Sequence, residues 1–197
     1  MQAPLLVSGP ASQIFDLTDI KDHLRISSSD EDTYLTFLIK AATAYLDGYT
    51  GQLGRCLINQ DWKLQFEDWP NSNGRLRLPF PDVSNVVVKY FDTENAEQTV
   101  SETLYQIIED HRSSILCFSD DFTEPSVFDD RQDAVQITLT AGYGADKTFV
   151  PEAIRHGMLL LIGHWFENRE AVVVNARPED MPLGFNALIA PYRKTGL

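Results

Sequence analysis

The spacing of hydrophobic and polar positions changes twice along the chain. To about Arg55 the apolar residues recur at helical steps. Phe15 to Leu24 predicts a short helix with Thr18 as its N-cap. Ser27-Ser28-Ser29-Asp30-Glu31-Asp32 predicts a second helix start, its three acids on the positive end of the helix dipole. Leu35, Leu38, Ile39, Ala42, Leu46 and Tyr49 follow at three- and four-residue steps. They predict a helix over about residues 30–50 with one apolar face, stopped by Gly51.

From about residue 56 the period falls to two. Trp62, Leu64 and Phe66 alternate with Lys63, Gln65 and Glu67, a half-buried strand. Arg75 to Leu78 alternates as well, and Pro79 to Pro81 breaks it. Val86 to Phe91 is a β-rich run, followed by a hairpin turn over Asp92 to Glu97. Tyr105 to Ile108, Ser114 to Phe118 and Val135 to Leu139 supply further strands. About seven short strands are expected in an antiparallel module. The acidic stretch Ser119 to Asp133 reads as a solvated loop.

Helical spacing then returns. Ile154, Met158, Leu161, Ile162, Trp165 and Phe166 form an apolar stripe over about residues 151–170, with Pro151 at the first helical position. Asn175 to Pro182 reads as a loop, and Leu183 to Tyr192 as a short final helix. The fold class expected is α+β, a core of two long and one or two short amphipathic helices interrupted by an antiparallel β module. The expected parts are residues 1–55, helical; 56–147, the β insertion; and 148–197, a helix and tail forming one domain with the first part.

Charge sharpens this division. The 197 residues carry a formal net charge of -13. Residues 1–55 hold 4 basic and 7 acidic side chains, residues 56–147 hold 7 and 17, and residues 148–197 hold 5 and 5. The β part carries most of the excess. Such an acidic chain is a poor gripper of phosphates, because nucleic-acid affinity comes largely from cations that displace counterions. No run of about 18 apolar residues is present, so no membrane span is expected. The N-terminal residues lack a basic n-region, so no secretory signal is expected. Cys56 and Cys117 stand far apart and read as two reduced thiols.

No motif marks a reaction. His164 with Glu167, and Glu152 with His156, have one-turn spacing that suits a metal, but also suits helix-face pairing. Gly142-Tyr143-Gly144 lacks the third glycine of a dinucleotide loop and reads as a turn before Pro151. Acidic pairs such as Glu67-Asp68 and Asp129-Asp130 read as loop acids. No catalytic residue, cofactor or metal is expected. The alternative is a soluble enzyme, hydrolytic or metal-dependent, without a recognisable motif.

Several stretches together resemble the head-tail connector, or adaptor, family of tailed double-stranded DNA phages, prophages and gene transfer agents. They are Asp16 to Ile26, Asp30-Glu31-Asp32 with Leu35 to Gly51, Thr140 to Gly144, Val150 to Arg155, His164 to Ala171, and Pro182 to Arg193. The resemblance spans nearly the whole chain and is vaguest in the β part. It implies a non-enzymatic virion protein at the head-tail junction, assembled in the host cytoplasm. It implies a ring of roughly a dozen copies. The ring would sit between the portal and a stopper or tail-completion protein, with DNA passing through without sequence-specific binding. Trp165 and Phe166, with Glu167 and Arg169, are then expected as anchors of the core or of a subunit interface. Pro191, Tyr192, Arg193, Lys194 and Leu197 are expected as a portal-binding tail or an unstructured end. The acids either line the channel or face the ring exterior.

Overall fold

A computed structural model describes residues 3–70, 73–109, 113–169 and 183–194. It is α+β, as the periodicity indicates, and the chain divides into two compact units. One combines residues 12–58 with 144–193 and holds the helices; the other combines 1–11, 59–143 and 194–197 and holds the strands.

In the helical unit α1 is Leu17–Leu24, α2 Asp32–Leu46, α3 Glu152–Glu167 and α4 Leu183–Ile189, followed by a 3-10 turn at Ala190–Tyr192. The cap of α1 is Asp16 rather than Thr18. The Asp19 carboxylate accepts the Asp16 backbone N–H at 2.9 Å, so the chain closes its first turn two residues earlier than a Thr18 cap allows. α2 stops at Leu46, short of the expected Gly51. The Asp47 carboxylate accepts the Leu57 N–H at 2.7 Å, and Gly48 N–H donates to the Arg55 carbonyl at 2.9 Å. These bonds fold residues 47–57 into a tight return. Gly51 lies inside it, where a Cβ would collide with the carbonyls of Leu46 and Asp47. Leu35, Leu38, Ile39, Ala42 and Leu46 are buried on α2, and Ile154, Met158, Leu161 and Ile162 on α3. Each stripe is apolar on one side only and needs the other for cover.

The other unit opens with a strand that the helical reading of residues 1–55 did not contain. β1, Leu5–Ser8, pairs antiparallel with β2, Gln60–Phe66. Four residues are too few for a periodicity signal, and pairing with β2 supplies what the local sequence lacks. The remaining strands are β3 Arg75–Arg77, β4 Val83–Phe91, β5 Glu97–Thr99, β6 Tyr105–Glu109, β7 Ser114–Phe118 and β8 Val135–Ala141. One sheet runs β1-β2-β8-β4-β5 and the other β3-β7-β6. β8 is the central strand, and Val135, Gln136, Ile137, Leu139 and Ala141 are buried on it. Trp62 opposes Leu139 and Val88 opposes Ile137 in the ladders. The β4–β5 turn is held by Asp92, whose carboxylate accepts the N–H groups of Glu94 and Ala96 at 3.0 Å each. The Ala96 bond, then one from the Gln98 amide at 2.7 Å, with the Glu94 bond, hold its carboxyl below the ordinary range. Asn95 takes the left-handed backbone there, a conformation asparagine tolerates.

Candidate assembly surfaces

The end of α3 gathers the first group of singled-out residues. Trp165 and Phe166 are half-buried, and Glu167 and Arg169 are exposed. The Trp165 ring meets Tyr45 of α2 edge-on, with centroids 6.0 Å apart, and its carbonyl accepts the Tyr34 hydroxyl at 3.3 Å. Phe166 lies 6.1 Å from Tyr34. Arg169 stands over Tyr34 at 4.5 Å and Phe166 at 5.2 Å, and pairs with Glu31 at 2.8 Å. This carboxylate belongs to the chain itself. The guanidinium is thus held between two ring faces and one anion, which fastens the end of α3 to the start of α2. Tyr34, Tyr45 and Glu31 complete the group; the sequence marked Glu31 only as a helix-start acid and did not single out the two tyrosines. Their signal was weak, because Tyr34 and Tyr45 flank the apolar stripe of α2 instead of lying on it.

The tail begins where α4 packs on α3. Phe185 and Ile189 are fully buried. A Cβ on Gly157 would stand 3.1 Å from Ile189 Cγ2, so glycine is what permits this approach. Beyond α4, Pro191 is exposed and Tyr192 half-buried. Arg193 Nη2 donates to Asn186 Oδ1 at 3.2 Å. Lys194 Nζ donates to the Pro79 carbonyl, in the β unit that Lys194 rejoins, at 2.6 Å. Burial, then the nearby Arg77 cation, pushes the Lys194 amine down from its usual value. Arg193 and Lys194 are therefore ordered groups with partners. Leu197 lies outside the described residues.

The one-turn histidine pairs have other engagements. His164 Nδ1 lies 3.3 Å from Asn168 Nδ2, and Glu152 pairs with Arg155 at 3.3 Å. Among the described residues no three His, Cys, Asp or Glu side chains are grouped to hold a metal. Cys56 and Cys117 are both buried, and neither is in a disulfide.

A second ionic fastening joins the two sequence pieces of the helical unit. Lys147 reaches Asp19 at 2.7 Å and Asp16 at 2.9 Å. The hydrogen bond from Lys147 lowers the Asp19 pKa, and those to Asp19 and Asp16 raise that of Lys147. In the β unit, an aromatic cluster fills the same role. Trp69 contacts Tyr90, Phe118 and Phe122, and its indole N–H donates to the Pro125 carbonyl at 2.8 Å. Phe122 and Pro125 come from the acidic stretch 119–133, so that loop is anchored by its apolar members, while Asp120, Asp121, Glu124, Asp129 and Asp130 are exposed and Asp133 pairs with Arg131 at 2.9 Å.

Comparison with known proteins agrees with this architecture. Residues 15–112 match the family described as phage gp6-like head-tail connector protein. Among solved structures, a chain in the neck of an empty gene transfer agent particle, computed with C6 symmetry, is similar over 100% of this chain and 97% of its own. Its identity is 23% and its TM-score 0.77. A chain in the virion of a native gene transfer agent particle has 22% identity and a TM-score of 0.76, with the same coverage. One from the native neck, computed with C12 symmetry, has 20% and 0.72, again over 100% and 97%. These likenesses establish a shared fold. No curated protein matches the chain.

Proposed function

Because the chain belongs to the phage head-tail connector family, we propose that it works as a ring subunit in a virion neck. The observation that carries this is the match to that family together with a fold shared end to end with chains of gene transfer agent necks. One of those necks was computed with C12 symmetry, which accords with a ring of roughly a dozen copies. The ring would lie between the portal and the stopper or tail-completion protein. Its work is mechanical, with no reaction assigned to it.

An acidic subunit suits a conduit. DNA must slide through, and carboxylates along the path disfavour lasting phosphate contact. The portal contact is assigned to Pro191, Tyr192, Arg193, Lys194 and Leu197. Exposure of Pro191 and the balanced charge of residues 148–197 support that assignment. The half-buried pair Trp165 and Phe166 serves as an anchor within the helical core, with Glu167 and Arg169 at its exposed rim.

The test is the mass of the purified chain by light scattering, alone and mixed with the portal encoded by the same genome. A closed ring alone, or recruitment in roughly a dozen copies to the portal, is the expected result. A monomer or dimer that ignores the portal sinks the proposal. Deleting Pro191 to Leu197 should abolish portal binding while leaving the circular dichroism of the helices in place.

A further inference from the structure

Each copy in a ring must hold two neighbours, and a contact between copies presupposes the ring function proposed above. We propose that neighbouring copies join by strand addition, the free edge of β1 in one copy pairing with the free edge of β6 in the next.

Two sheets leave four strand edges open among the described residues: β1, β5, β3 and β6. Natural sheets guard such edges with charge, brevity or a bulge. β5 is three residues long, and its Glu97 is ion-paired with Lys89 at 2.6 Å. β3 is also three residues long and is bracketed by Arg75 and Arg77. β1 has a bulge toward β2 but no charge, and its Leu5, Leu6 and Val7 are 54%, 54% and 56% exposed. β6 is five residues long, carries its one charge at its last residue, Glu109, and keeps Ile108 41% exposed. Of these four edge strands β1 alone has no charged residue, and β1 and β6 are the two that display large apolar side chains.

Charge argues that the occupant is a second copy. Identical chains of net charge -13 repel wherever carboxylates face each other. Residues 1–15 contain no charged side chain at all, so β1 is a place where such copies can meet. Beside β6 lies a groove of about 190 Å³ lined by Ser84, Val86, Tyr105 and Ile107 among others, able to take a side chain of the arriving strand. Main-chain hydrogen bonds would give the affinity and the alternate side chains the register. Pairing unlike edges is a head-to-tail contact, the kind that closes into a ring, whereas β1 against β1 would stop at a dimer.

The experiment uses the full chain with its portal. Leu6→Cys and Ile108→Cys are introduced singly and together, and the native cysteines are buried. Under mild oxidation the double variant should give a ladder of cross-linked multimers. A mixture of the two single variants should give covalent dimers. Hydrogen exchange of the unsubstituted chain should slow about tenfold or more in residues 5–8 and 105–109 on assembly. A ring of correct mass with neither the cross-link nor the slowed exchange overturns the interface and leaves the ring reading standing. Dimers of Leu6→Cys alone would show β1 pairing with itself and also overturn it. Absence of any ring, with or without portal, removes both.

Discussion

The helical unit and the β unit hold themselves together by different means. In the helical unit two pieces of chain far apart in sequence must find each other, and no backbone ladder joins α2 to α3. Apolar stripes make the contact, and ionic fastenings fix its ends: Lys147 to Asp16 and Asp19, and Arg169 to Glu31. In the β unit ladders set the positions of the strands within each sheet. The ion pairs of Lys89 with Glu97 and Arg131 with Asp133 are local. A sheet is aligned by its hydrogen bonds, whereas helices pack along smooth ridges and gain alignment from charges at their ends. In the β unit acids such as Asp92 and Asp133 bond within their own turn, whereas in the helical unit Asp16, Asp19 and Glu31 bridge distant pieces of chain.

The strongest way to break this contrast is to remove one apolar anchor from each unit. Phe185→Ala should cost about 3–5 kcal/mol, read by urea unfolding, with protection from exchange lost first in α2 and α3. Trp69→Ala should cost a similar ~3–5 kcal/mol, with the loss in β3, β6 and β7. If either change loosened β2, β8 and β4 first, the picture of a self-sufficient ladder would be wrong.

A smaller effect tests the rim of α3. Arg169 and Glu31 are partly exposed, so their coupling in a double-mutant cycle with Arg169→Met and Glu31→Gln should be about 0.5–1 kcal/mol. A coupling indistinguishable from zero would reduce that contact to decoration.

The subtlest effect is a pH dependence. Asp19 has a lowered pKa, so its contribution is complete above the ordinary carboxylate value and is lost as pH falls through the lowered one. Lys147 has a raised pKa, so its contribution is complete below the ordinary amine value and is lost as pH rises through the raised one. Lys147→Met should lower Tm slightly near neutral pH, and the difference should shrink as pH falls below the ordinary carboxylate value and vanish in strong acid. A Tm difference that persists in strong acid would mean that the lysine acts through packing.

Long periodic stretches were legible in the sequence. The stripe from Leu35 to Leu46, that from Ile154 to Ile162, and the alternation in β2 announce their elements through period alone. The strand β1 was not legible, because its pairing partner lies more than fifty residues away and strand formation there depends on that partner. Nor was the cap at Asp16, where Asp16 and Thr18 are both good caps and the contact with Lys147 comes from elsewhere in the chain. Of the residues at the end of α3, Trp165 and Phe166 stood out by size and position, while Tyr34 and Glu31 gain their contacts only when α2 and α3 meet. Leu5-Leu6-Val7 was visible as an uncharged run, but nothing in the run says that it is an edge.

The chain passes between the two units four times, at residues 11–12, 58–59, 143–144 and 193–194. A single cut after Ile58 therefore yields no piece that contains a whole unit. The shorter fragment, 1–58, carries β1, α1 and α2; the longer, 59–197, carries their partners β2, α3 and α4. Neither fragment can bury its apolar surface without the other. Produced separately, the two make a complementation pair whose reassociation would switch subunit competence on at a chosen moment.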